Sequence, residues 1–574
     1  MREISTDILI LGSGGAGLFA ALHAHKADSA LSITVAVKGL LGKCGCTRMV
    51  QGGYNVALAK EDSIERHFMD TIEGGKWLPD QELAWKLVNL AVERIRELEN
   101  ELGCFFDRNP DGSVHQKAFA GQTFDRTVHK GDLTGIEIIN RLAEQVWARK
   151  IDRLEEHRAV ELIKSKDGQA IAGVLFIDMR TGDYVLVRAK AVLLATGGGP
   201  TMYKYHTPSG DKSCDGLAMA LRAGLPLRDM EMVQFHPTGL YAGTHTRMTG
   251  TVLEEGLRGA GGYLLNGAKE RFMPKYDPKA ERATRDFVSR AMYSEMRKGN
   301  TSPNGGLYIA MSHLDRQMVK KQFRGMVERC ADCGFDLAGG LVEVVPTAHY
   351  MMGGVEFAAD CSTELKGLYV AGEDAGGVHG ANRLGGNGVA NSTVFGAVAG
   401  DAMANWVVSR SFEEFDSHVV KEAIATCEKP IHAKQKEHGS LEPLRERLYD
   451  LMWQKVGIIR EAAGLRAALS GLDAMESELN DAGIADANRA FNLTWHDWLN
   501  LKSLVQVSRV IAEAALARTD SRGAHFREDF PEAGPLEQSA FTSARLEGSA
   551  LGIGMKPVAF TRVRPGQSLL VGNL

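Results

Sequence analysis

Residues 6–23 read TDILILGSGGAGLFAALH. Ile8 to Leu11 is an apolar run of strand type that ends in glycine. Gly12, Ser13, Gly14, Gly15, Ala16 and Gly17 then spell G-x-G-G-x-G, and from Leu18 onward apolar residues return at helical spacing. A strand, a tight glycine turn and a helix form the opening unit of a dinucleotide-binding fold. Gly12 permits the sharp turn, Gly14 lets the backbone approach a pyrophosphate, and Gly17 lets the helix pack close on the strand. The pyrophosphate is expected at the helix amino end, where unpaired N–H groups and the helix dipole favour an anion.

The chain has 574 residues, too many for one core, so several domains are expected. It is 44% hydrophobic and 24% charged with a net charge of −5, which gives no reason to expect nucleic acid. No apolar run approaches the ~18 residues a membrane helix needs, so no membrane insertion is expected. The start, MREISTD, lacks an apolar signal region, and a cytoplasmic location follows as the expectation. The 8 cysteines are scattered. Cys330 and Cys333 make an isolated C-x-x-C and read as ordinary reduced thiols; neither a metal site nor an iron–sulfur centre is expected in this chain.

Ile33 to Val37 reads as the second strand. A nicotinamide-binding fold often ends this strand with an acid for a ribose hydroxyl; Lys38 stands there instead, followed by Gly39, which argues against NAD. Residues 43–58, KCGCTRMVQGGYNVAL, are a second glycine-bearing segment. Glu82 to Leu102 and Gly135 to Arg149 show amphipathic helical spacing. Ala170–Ile177 and Tyr184–Arg188 alternate around a turn and read as a hairpin. Ala191–Ala195 is a buried strand running into a second glycine turn, Thr196-Gly197-Gly198-Gly199. From Leu240 to Val344 charge rises and no strand–glycine–helix unit appears, as expected of an inserted domain. Gly367–Glu373 returns to the first style, and a helix is expected from Asn387. Long helical patterns, including Leu444–Leu469 and Trp498–Arg518, dominate 409–532, and the tail from about Ala533 reads as irregular.

Taken in order, GSGGAG at 12–17, QGG at 51–53, ATGGG at 195–199, QFHPTG at 234–239, EGLRGAGGYLLN at 255–266, TRDFVSRA at 284–291, TAHYMMGG at 347–354, the glycine-rich run at 371–396 and LARTDSRGAHFREDFPE at 516–532 cover nearly the whole chain. They resemble the flavoprotein subunit of succinate dehydrogenase and fumarate reductase, a family that includes L-aspartate oxidase and, more distantly, the adenylylsulfate reductase α subunit. The resemblance implies an α/β fold. A Rossmann-like FAD-binding domain (1–239 and 345–408) is interrupted by an α+β capping domain (240–344), and a helical domain (409–532) and a tail (533–574) follow.

The same resemblance implies FAD, held by Gly12, Ser13, Gly14, Gly15, Ala16 and Gly17 at the pyrophosphate, and by Lys38, Gly39, Cys46, Thr47, Gln51, Gly52 and Gly53 along the cofactor. Ala159 would face the adenine, Thr196, Gly197 and Asp215 would add contacts, and Glu373 would hold the ribose. Asn387, Gly388 and Val389 would open a helix aimed at the flavin, with Arg383 nearby; a helix amino end there favours the anionic reduced flavin. At the substrate, the family pattern implies His236, His349, Arg383 and Phe119 as binding groups and Arg285 as the proton donor or acceptor, with Glu255 and Arg258 behind it as a relay. Hydride would pass between flavin N5 and a carbon next to a carboxylate. Arginine, with a pKa above ~12, can serve as an acid only if such a relay reprotonates it and the closed cap excludes water.

Three departures surround the substrate. Cys46 stands five residues before the QGG glutamine, where the respiratory enzymes have the histidine that bonds to the flavin, so FAD is expected to be non-covalent. Glu254 stands where these families have a threonine that holds a substrate carboxylate. An acid there should repel that carboxylate, so a substrate other than plain succinate or fumarate is expected. The loop 240–252 is longer and brings His245 and Arg247, the latter able to offset Glu254. Ala260 replaces a common glutamate. Three functions stay open: a dehydrogenase or reductase paired with a separate iron–sulfur protein, a soluble L-aspartate-oxidase-like enzyme that releases hydrogen peroxide, and an adenylylsulfate-reductase-like electron-transfer subunit.

Overall fold

The computed structural model describes residues 1–244, 246–433, 441–548 and 550–570; His245 lies outside the described residues. Arg2–Leu11 is the central strand of a seven-stranded sheet. It pairs in parallel with Ile33–Val37 on one side and with Tyr184–Leu194 on the other. Ile8, Leu9 and Ile10 are fully buried on both faces, as a parallel strand covered by helices requires. Gly12 has φ +114°, and a Cβ there would fall 2.1 Å from Ala195 O. Gly17 lies in the first turn of the helix Gly15–Ala27, and a Cβ on it would fall 2.0 Å from Gly12 O. These two contacts are why the turn is so tight and the helix lies so close on the strand.

The strand Tyr184–Leu194 organises the far side of this sheet. Its first half pairs antiparallel with Ile171–Asp178, and its last residues pair in parallel with Leu368–Val370, which returns from far along the chain. The hairpin forms as expected, but its second strand and the apolar AVLLA segment, expected as separate elements, are one continuous strand. Arg188 and Lys190 interrupt its apolar pattern because they point outward, Lys190 to Asp7 at 2.7 Å. Asn387–Val407 forms a helix as expected and packs on Gly15–Ala27.

The chain leaves and re-enters this domain through two strands that lie side by side. Val233–Leu240 pairs antiparallel with Leu341–Met351, and Leu307–Ala310 and Tyr263–Leu265 complete a four-stranded sheet. A separate apolar core around Leu257, Leu264, Met292, Ile309 and Val342 sits between this sheet and the helices of the cap.

Two expectations about the C-terminal third are corrected. The helical spacing over Leu444–Leu469 is broken into Glu442–Lys455 and Ala462–Asp481. Val456 and Ile458 in the break still point into the core, so the apolar spacing runs on through a turn. The tail is not irregular. Ala540–Glu547 and Ala550–Pro557 form a hairpin that docks on Leu227–Arg228. Its second strand is glycine-bearing and mostly half-buried or exposed, so no buried stripe marks it in the sequence. The helical domain shares one core with a face of the main sheet, through Leu448, Leu472, Trp495 and Trp498. No helix among the described residues is long and apolar enough to cross a membrane.

Candidate functional site

A cavity of about 650 Å³ runs from the glycine turn after the first strand to the cap, within the range of small-molecule sites. At its first end lie Gly12, Ser13, Gly14, Gly15 and Ala16. The helix that starts here has no side-chain cap, and Thr47 Oγ1 accepts from Gly15 N at 3.0 Å. A Cβ on Gly14 would meet nothing nearer than Thr47 Oγ1, at 3.5 Å, so this turn is an open backbone cradle. Beside it, Lys38 Nζ and Arg158 Nη2 hold Asp215 at 2.9 and 2.7 Å. Burial raises the Asp215 pKa, but the two cations outweigh it and hold the carboxyl well below the usual range. Ala159 lines this end.

Along the middle, Cys46, Gln51, Gly52, Gly53, Thr196, Gly197, Glu373, Gly388 and Val389 line the cavity. Gln51 Oε1 is buried without a partner among the described residues, while its Nε2 donates to Val252 O at 3.2 Å. Glu373 Oε1 accepts from Met351 N at 2.9 Å and Gly199 N at 3.3 Å. Burial pushes the Cys46 thiol up to about 12, so it is protonated at neutral pH. The uncapped helix start, the glycine cradle and the orphaned Gln51 oxygen fit a long polar cofactor such as FAD.

The other end lies under the cap. His236 and His349 come from the two adjacent hinge strands, with ring centroids 5.3 Å apart. Burial, and then the arginines around them, push both imidazoles well below their ordinary pKa, so both are neutral. Thr238 N donates to His236 Nδ1 at 3.3 Å, which leaves the proton on Nε2. Arg285 opens the helix Arg285–Arg297 and places Nε and Nη2 at 2.7 and 2.6 Å from Glu255 Oε2. Ala120 N donates to Glu255 Oε1 at 3.1 Å. Burial opposes ionisation of Glu255, but Arg285 and Arg258 outweigh it and keep the pKa low. Arg383 stacks over Tyr350 at 4.4 Å, and its Nε is buried without a partner among the described residues. Burial, with Arg285 second, brings its pKa down to about 10. Phe119 and Glu254 complete the wall.

Four residues expected at the site stand behind it. Gly17 and Gly39 do not line the cavity; Gly17 serves helix packing and Gly39 O accepts from Glu156 N. Asn387 also turns away: its Oδ1 accepts from Asn55 Nδ2 at 2.9 Å and lies 2.9 Å from His67 Nε2, and its N–H donates to Leu384 O. Arg258 is 1% exposed, donates to Glu281 O at 2.6 Å and lies 3.7 Å from Glu255, so it positions Glu255 without reaching the cavity. Arg247, expected to offset Glu254, is exposed and off the cavity. Lys117 pairs with Glu254 instead, at 2.7 Å.

Sequence reasoning missed Gln234, Tyr350, Thr207 and Lys117. Gln234 Oε1 accepts from both Arg285 and Arg383. It precedes His236 by two on a strand, a spacing that puts both on one face and could have flagged it. Thr207 Oγ1 lies 2.8 Å from His349 Nδ1, and nothing local marks that pairing.

A dinucleotide cradle joined to a capped, arginine-rich pocket defines an FAD-dependent oxidoreductase. The chain matches the FAD binding domain model over residues 7–389 and the fumarate reductase flavoprotein C-terminal model over 445–569. It is 39% identical to one of the subunits of the CoM/CoB fumarate reductase of Methanothermobacter marburgensis over 95% of this chain and 98% of that one. It is 40% identical to an uncharacterized FAD-dependent oxidoreductase of Methanocaldococcus jannaschii over 92% of this chain and 94% of that one. The FrdA chain of E. coli quinol fumarate reductase superposes with a TM-score of 0.93 at 31% identity, covering 100% of both chains. The chain belongs to the succinate dehydrogenase and fumarate reductase flavoprotein family, and FAD is its cofactor.

Proposed function

We propose that this enzyme moves a hydride between FAD and a carbon next to a carboxylate, with Arg285 giving or taking the proton at the neighbouring carbon. The observation that carries this reading is the convergence of Arg285, Arg383, His236 and His349 at one end of the cavity whose other end is the glycine cradle. When bound, FAD supplies the two-electron step, a hydride given or taken at N5.

The chain's own groups supply the rest. Arg383 offers a guanidinium fork for the carboxylate beside the reacting carbon. His236 donates from Nε2, and His349, held by Thr207, faces it. Arg285 is a weak acid, but Glu255 lies against it and Arg258 stands behind Glu255, a path along which a proton can be replaced. The cap, packed over the hinge strands, excludes water from that path. Gly12, Gly14 and Gly15 would hold the pyrophosphate, and Gln51, Gly52, Gly53, Gly388 and Val389 the flavin, without a covalent bond. Ionised Glu254 disfavours plain succinate and fumarate, although Lys117 offsets part of its charge. Since the relatives include members of multi-subunit fumarate reductases, a separate iron–sulfur protein is the proposed electron partner.

The test is anaerobic reduction with dithionite, then mixing with a panel of small unsaturated mono- and dicarboxylates while flavin absorbance is followed. At least one acid should reoxidise the flavin as its double bond is saturated, and Arg383→Met should slow this by ~100-fold. A flavin that oxygen reoxidises but no unsaturated acid does would refute the reading.

A further inference from the structure

Among the described residues that line the substrate end of the cavity, Glu254 is an acid that the proton path above does not use. It is 3% exposed and lines the cavity. Its Oε1 accepts from Lys117 Nζ at 2.7 Å, whereas Oε2 is buried with no hydrogen-bond partner among the described residues. A buried carboxylate oxygen without a donor is costly, so the site is incomplete until something meets it. A second carboxylate on the substrate would bring acceptors only. Two like charges at contact distance in a buried site cannot both stay ionised without large cost, and the pair then shares one proton.

We propose that Glu254 receives the far carboxylate of a dicarboxylate in its protonated form, donating Oε2–H to it, so that dicarboxylate binding takes up one proton. This rests on the carboxylate reading above and names the substrate class. The carboxylic O–H replaces the hydroxyl donor that a threonine would offer at this position. Lys117 fixes which oxygen is free. The other charged groups facing Glu254 are Glu255 and Asp132, both of which add to the burial that raises its pKa, with Lys117 opposing. Arg285 is engaged with Glu255, Arg329 lines the same cavity from the cap, and His236 and His349 are neutral, so none of these supplies the proton near neutral pH.

The experiment compares fumarate with crotonate, which has a methyl group in place of the far carboxylate. Neither reacts with oxidised flavin, so each dissociation constant is read from the flavin difference spectrum of the FAD-loaded enzyme between pH 6 and 9. Fumarate should bind more tightly at pH 6 and weaken by about tenfold per pH unit above the Glu254 pKa, while crotonate stays flat. Calorimetry in buffers of different ionisation enthalpy should show about one proton taken up with fumarate. Glu254→Gln keeps a donor in place and should abolish the pH slope and the proton uptake without loss of FAD. A flat fumarate profile, a slope that persists in Glu254→Gln, or fumarate binding no tighter than crotonate at pH 6 would overturn the proposal while leaving the carboxylate reading intact. If neither acid perturbs the flavin at any pH, both fall together.

Discussion

Arg285 and Arg383 donate to the same atom, Gln234 Oε1, at 3.2 and 3.0 Å. The amide is oriented by its other end, since Nε2 donates to Asn382 Oδ1 at 3.1 Å and Arg383 O at 2.8 Å. Two guanidiniums that repel one another are thus held at a fixed spacing by a neutral acceptor, and both keep donors free for an anion. A carboxylate at 234 would occupy those donors. Gln234→Glu is expected to raise the KM for the carboxylate substrate at least ~10-fold, an effect of about 1.4 kcal/mol, with FAD content unchanged. Steady-state kinetics and the flavin-to-protein ratio check this. An unchanged KM would mean that the two arginines do not meet the substrate.

The position that could bond to the flavin is Cys46. A thiolate is the reactive form, and burial pushes this thiol up to about 12, with the Glu373 charge adding to the shift. FAD is therefore expected to be released into the supernatant when the protein is precipitated with acid. Cys46→Ser should retain a full complement of flavin. Yellow colour that stays in the pellet, and is lost from it in Cys46→Ser, would show a thioether.

Asp215 gives the end of the cavity lined by Lys38, Arg158 and Ala159 a defined acid sensitivity. Its folded pKa lies well below the ordinary 3.8 because Lys38 and Arg158 overcome the cost of burial. A depressed carboxylate pKa contributes stability that is fully present above the unfolded value and is lost as pH falls below it toward the folded value. The window is therefore below about pH 4. Asp215→Asn takes the carboxylate from the buried Arg158 and the half-buried Lys38, which costs about 3 kcal/mol. The variant should melt lower at pH 7 and show a flatter loss of stability on acidification. Thermal melts from pH 7 to pH 3 on the FAD-loaded protein decide it; parallel curves for the two proteins would refute the assignment.

The cofactor end was legible because its chemistry is local. Gly12 to Gly17 and the turn at Thr196 shape backbone within their own sequence, and Lys38 is visible as the residue that closes the second strand, although its partner Asp215 is far along the chain. The substrate end was legible only through the family motifs, because its parts meet across long separations: Glu255 with Arg285, Thr207 with His349, Lys117 with Glu254. No periodicity carries such pairings. Arg247 looked suited to offset Glu254 because it is near in sequence, yet its loop leaves it exposed, and a lysine two residues from Phe119 does that work. Asn387 shows the opposite case. Its motif is right and its helix begins there, but its amide is consumed by Asn55 and His67. The C-terminal hairpin was missed because its second strand is glycine-bearing and half-exposed, and the buried residues of its first, Thr542, Ser543 and Ala544, are consecutive and mostly polar rather than an alternating apolar face.

The remaining prediction separates two roles for Arg285. It sits at the start of its helix, 7% exposed, with both Nε and Nη2 on Glu255 Oε2. Such an ion pair could simply brace the cap. If it did, Arg285→Lys would keep the charge and most of the brace, and Arg285→Ala would loosen substrate binding while leaving much of kcat at saturation. If Arg285 moves the proton, the lysine variant loses the fork and displaces the donor atom, and a shift of about 1 Å in a reacting group costs ~100-fold. The expected result is therefore a kcat lower by at least ~100-fold in both variants, with FAD content and the affinity for a non-reacting carboxylate within a few-fold of wild type. Glu255→Gln should share that loss, because an amide cannot return a proton to Arg285. Near-wild-type kcat in Arg285→Lys would assign the proton transfer to another group in the cavity, and neutral His236, whose Nε2–H faces no protein acceptor among the hydrogen bonds of the described residues, is the next to test.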